Sequence, residues 1–141
     1  MNFIFAKLYE EYVRKDDVPS ESITTYISLI YLFVAFDILL PVKTLIDKKI
    51  FNNQIDYERS TITIVVFALA ASIYFIVRKI YVRNKFILKL VDRYKERKIN
   101  KILLNVIIVL TPVTLLLLGA TITVFLTGGE ILGKEISGLI K

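Results

Sequence analysis

The chain contains no cysteine, no histidine and no tryptophan, and only three prolines and five glycines among 141 residues. Without cysteine there are no disulfides and no thiolate chemistry. Without histidine the chain lacks the side chain that most often serves as general base, haem ligand or zinc ligand. No nucleophile–base pairing and no glycine-rich phosphate loop can be assembled from the remaining residues. An enzyme is therefore not expected, and no catalytic residue, metal or cofactor is assigned. The paired acids Glu10–Glu11 and Asp16–Asp17 are sequence neighbours that read as solvated charge.

What the chain has in abundance is apolar length. It is 55% hydrophobic, with a mean hydropathy of +0.62. Polar residues are confined to the connections between three apolar segments, roughly 23–40, 62–77 and 102–126. A helix needs about 20 residues to cross a hydrocarbon core about 30 Å thick. The second segment reaches that length with Thr61 and the snorkelling pair Arg78 and Lys79. A soluble bundle would need a polar outer face, and three such runs leave none.

The expected fold class is an all-α integral membrane protein: three transmembrane helices, an N-terminal amphipathic helix and a cytosolic helical extension of the second span. As one membrane domain over 1–141, it divides into an amphipathic helix at 1–20, span one at 22–46, span two at 60–83, a basic extension at 84–100, span three at 101–127 and an outer tail at 128–141. The late start of the first apolar run argues against a cleaved signal peptide.

Charge sets the expected orientation. Ten of the nineteen Lys and Arg lie between Arg78 and Lys101, and with Lys7, Arg14 and Lys15 they put thirteen on one side. The other side carries Lys43, Lys48, Lys49, Arg59, Lys134 and Lys141. Positive loops stay inside, so the reading is amino terminus in and carboxyl terminus out. The wealth of Ile, Lys, Asn, Tyr and Phe suggests an AT-rich bacterial source, hence a bacterial cytoplasmic membrane.

Residues 2–15 place Phe5, Leu8, Tyr9 and Tyr12 on one helical face, before Asp16, Asp17 and Pro19 end the helix. Such a helix either lies in the headgroups or packs against cytosolic parts of the chain. In the basic window Phe86, Ile87, Leu90, Val91 and Tyr94 form a second stripe. No glycine or proline separates it from span two, so a single helix from Ser60 to Arg97, about 55 Å long, is expected, turning back near Asn100. Arg78, Lys79, Arg83, Lys85, Lys89 and Arg93 are the candidate contacts to the anionic inner leaflet. Orientation and lipid contact account for the basic run, so nucleic acid is not an expected partner. At the other end, Leu132, Ile136, Leu139 and Ile140 could line a short surface helix.

Asp37 is the only acidic residue within a span, about 21 Å from Ile23 by helical rise. A carboxylate at that depth is costly and faces protein or water. Two readings remain open: a residue of an ion path or subunit contact, or a protonated, hydrogen-bonded brace. Ala68, Ala71 and Ser72, and Thr111, Thr114 and Gly119, are expected at comparable depth. Asp37, Thr111 and Thr114 form the candidate intramembrane polar site. Pro41 and Pro112 are candidate kinks, and Pro112 frees the Ile108 carbonyl, which Thr111 or Thr114 could satisfy. Ala68 with Ser72, and Gly119 with Thr123, are candidate helix-packing pairs.

Together these residues suggest a small self-associating membrane protein that forms or regulates a pore, since three spans cannot enclose an aqueous path alone. The alternatives are an accessory subunit of a larger membrane complex and a membrane-resident immunity or regulatory binding protein.

Overall fold

The computed structural model describes residues 1–15, 18–49, 58–131 and 134–138. Helix α1 (Asn2–Lys15) is followed by α2 (Pro19–Lys49) and α3 (Arg59–Val77). A π-helical turn, Arg78–Arg83, leads to α4 (Phe86–Arg93), and α5 (Lys101–Thr127) precedes two short strands, β1 (Gly129–Ile131) and β2 (Lys134–Ile136). Three stretches are long and apolar enough to cross a membrane: Pro19–Asp47, Arg59–Arg83 and Lys101–Leu126. The protein is thus helical, with three candidate transmembrane helices.

Local chemistry sets the helix ends. Pro19 opens α2, where its fixed φ is preorganised and its missing N–H costs nothing, and Glu21 complements the first-turn dipole. Asn100 caps α5, its Oδ1 accepting from the Ile102 amide at 2.9 Å. At the far end of α5, Gly128 takes a positive φ of 83°. The tail then forms a two-stranded antiparallel ladder with Gly129 opposite Ile136, not the surface helix the sequence suggested. Glycine at 128, 129 and 138 supplies little helix propensity to a segment this short. The expected break at Asp16–Asp17, the tip of the 43–60 connection, and Leu132, Gly133, Leu139 and Ile140 fall outside the described residues.

The core sits at the end that carries the basic window. Phe5, Ala6 and Leu8 of α1 meet Ile23 and Ile27 of α2, Val77 and Tyr81 at the foot of α3, and Ile87 and Leu90 of α4. Edge-to-face ring contacts run through it, from Tyr26 to Phe5 at 6.3 Å, Phe5 to Tyr81 at 6.1 Å and Tyr81 to Phe86 at 5.3 Å. The apolar stripes of α1 and α4 cover each other, which places α1 against the chain itself.

This packing requires one correction. The second span does not continue as a straight helix to Arg97. The π turn ends at Asn84, Lys85 takes a left-handed backbone (φ 55°), and α4 starts afresh. A non-glycine residue held there costs about 1 kcal/mol or more. That cost is offset because the reversal buries Ile87 and Leu90, at 2% and 3% exposure. A straight helix would have left both in water.

Candidate functional site

Away from that core the spans are thinly covered. Only 6%, 6% and 11% of the most apolar windows of the three candidate spans are buried within the chain. A close approach between α2 and α5 lies where Asp37 meets Gly119. A methyl group built on Gly119 would overlap Asp37 Oδ1 and sit 3.2 Å from its Cγ, so glycine is what admits the carboxyl. Gly119 is buried and Asp37 half-buried. Among the described residues, Asp37 has no hydrogen bond and no ion pair.

The other candidates do not gather around it. Thr111 lies eight residues before Gly119 on α5, about 12 Å along the axis. Its hydroxyl donates to the Ile107 carbonyl at 2.7 Å, and Thr114 donates to Leu110 and Thr111. Thr123 likewise donates to the Gly119 carbonyl at 2.9 Å. These hydroxyls serve the backbone of their own helix, and that of Thr111 also meets the Tyr26 phenol of α2. Ser72 donates to Ala68, and both residues of that small pair are exposed on α3. Both prolines lie inside continuous helices, Pro41 in α2 and Pro112 in α5.

The carbonyl that Pro112 frees is satisfied from another helix. Tyr26 of α2 donates its hydroxyl to the Ile108 oxygen at 3.0 Å, which corrects the expectation that Thr111 or Thr114 would do so. An acceptor within the apolar layer needs a partner, and this one fastens α2 to α5. Tyr31 and Tyr81 add a second interhelical bond, hydroxyl to hydroxyl at 3.0 Å. Sequence reasoning missed both tyrosines of α2. The available signal was a phenol placed early in an otherwise apolar span, opposite a helix with an internal proline. Tyr26→Phe should lower stability by about 1 kcal/mol, read as a drop in the thermal midpoint in detergent, while Thr114→Val should leave it nearly unchanged.

A groove of about 790 Å³ opens between α2 and α3, lined by Glu21, Ser28 and Tyr74 among others. The Ser28 hydroxyl on its wall is buried and unpartnered among the described residues. Of the basic residues, Arg78 reaches Glu21 at 3.8 Å, and Lys79, Arg83, Lys85, Lys89 and Arg93 are exposed. No group of acidic side chains among the described residues could hold a metal ion. Comparison with protein-family models, curated proteins and solved structures returns no match.

Proposed function

We propose that the protein self-associates in the bacterial cytoplasmic membrane, amino terminus inside, and that its assemblies form or regulate a pore. The observation that supports this reading is the Asp37 carboxyl, midway along α2 and without a hydrogen bond or ion pair among the described residues. An ionisable group at that depth is expensive unless it meets protein, water or a pairing group. The buried Ser28 hydroxyl beside the α2–α3 groove, unpaired among the described residues, points the same way. A second copy could cover both groups. The exposed Ala68–Ser72 face of α3 allows close helix approach for the same purpose. Neighbouring anionic lipids would then be held by Arg78, Lys79, Arg83, Lys85, Lys89 and Arg93.

Native mass measurement in lipid discs, with dye leakage from vesicles, tests the proposal. Expected are masses at multiples of 16.3 kDa, leakage by the wild type, and loss of leakage in Asp37→Asn. A lone monomer without leakage overturns it. A monomer that co-purifies with one larger membrane protein supports the accessory-subunit reading instead. Reporter fusions at Lys15 and Lys95 should read inside, and those at Asn53 and Lys141 outside.

A further inference from the structure

A second crevice, of about 340 Å³, lies where the outer half of α1 faces the turn into α5. Its walls carry six cations: Lys7 and Arg14 from α1, Lys95, Arg97 and Lys98 from the turn, and Lys101 from α5. Among the described residues of the lining, Glu10 and Glu11 are the only acidic side chains, which leaves a surplus of four positive charges there. Those carboxylates are already engaged on the α1 side. Glu10 pairs with Lys7 at 2.9 Å, and Glu11 reaches Arg14, Lys15 and Lys101 at 3.8, 3.6 and 3.8 Å. Lys95 and Lys98 make no ion pair among the described residues.

We infer that this crevice is a phosphate-binding site. Three features favour phosphate over other anions. Arg97 is preorganised, its guanidinium stacked 5.7 Å from the centre of the Tyr94 ring, which in turn meets Phe3 edge-on at 5.6 Å. A planar guanidinium fork suits bidentate capture of phosphate oxygens. The first turn of α5 contributes Lys101 and Leu104 to the wall, so the positive end of a 27-residue helix adds to the field. The charge surplus matches a multiply charged oxyanion better than a single carboxylate. Because Lys101 is also the first residue of a candidate span, the crevice stands at headgroup height if α5 crosses the bilayer. The phosphate can come from an anionic phospholipid or from solution. The cations concerned differ from the exposed row of the π turn and α4.

The experiment uses the full chain in zwitterionic phosphatidylcholine discs with two probes: phosphatidylglycerol in the bilayer, and inorganic phosphate in the buffer. The readouts are lipid retained in native mass spectra and the thermal midpoint. Lys95→Gln with Lys98→Gln removes two unpaired crevice charges and should not disturb folding. Lys43→Gln with Arg59→Gln removes the same charge at exposed positions outside both the crevice and the basic row. Affinity should fall about fivefold for each crevice lysine lost and remain unchanged in the control pair. Retention of phosphatidylglycerol sensitive only to the crevice pair assigns a lipid headgroup. A midpoint raised by inorganic phosphate, and lost in the same pair, assigns a soluble phosphate. Equal loss in both pairs, or no effect of either probe, overturns the site.

Discussion

Replacing Phe5 by alanine should destabilise the protein by about 3–5 kcal/mol, the usual cost of emptying a buried aromatic position. Phe5 is 2% exposed and touches the rings of Tyr26 and Tyr81, so its removal opens a cavity among α1, α2 and the π turn. Thermal unfolding in detergent measures the loss, with Val13→Ala as a control on the exposed side of α1. An α1 that merely rested on headgroups would give a different result. Phe5→Ala would then weaken its attachment, seen as faster proteolysis near Lys15, while the midpoint of the three long helices stayed put. A midpoint unchanged within about half a kcal/mol would separate α1 from the core.

The difference between α1 and the straight extension expected for span two shows where sequence reading succeeds and where it stops. Length and apolar composition locate α2, α3 and α5, because an 18-residue apolar run has few other physical uses. Periodicity also places Phe5, Leu8, Ile87 and Leu90 on two apolar stripes, and these four are buried. Periodicity cannot say what those faces will meet. The chain reverses at Asn84–Lys85 without glycine or proline, because two stripes some eighty residues apart satisfy each other there. Asn84, a residue tolerant of turns, was the only local sign. The Ile108 carbonyl is a similar case. Its release follows from Pro112 alone, but the donor is fixed by the adjacency of α2 and α5, which no local pattern encodes.

At the candidate site, Asp37 and Gly119 were legible as an intramembrane acid and a small residue of comparable depth. That they touch, while Thr114 turns to its own backbone and Thr111 to its own backbone and Tyr26, required the helix pairing. The hydroxyls satisfy the nearest acceptor on the preceding turn, a choice commonly open to Thr in an apolar helix.

The contact between Asp37 and Gly119 yields a sign-dependent prediction. Gly119→Ala places a methyl in overlap with Asp37 Oδ1 and 3.2 Å from Cγ. Rotating the carboxyl about χ2 relieves the first clash, and the second needs a few tenths of an ångström of give, from a new χ1 of Asp37 or from a slight parting of α2 and α5. Overpacking of this type costs about 1–3 kcal/mol. In an Asp37→Ala background both clashing atoms are gone, and the nearest of the remaining contacts is the Asp37 Cα at 3.9 Å, ordinary van der Waals distance. There the same Gly119→Ala change should be neutral or slightly stabilising, as the methyl fills space the carboxyl vacated. The four proteins form a double-mutant cycle, with an expected coupling of about 1–3 kcal/mol in thermal or denaturant unfolding. Vesicle leakage read on the same four separates the pore proposal from packing. If Asp37 acts through its charge, both Asp37→Ala proteins lose leakage, including the double variant whose stability is restored. If leakage instead follows stability around the cycle, Asp37 is a packing residue and the pore reading loses its main support.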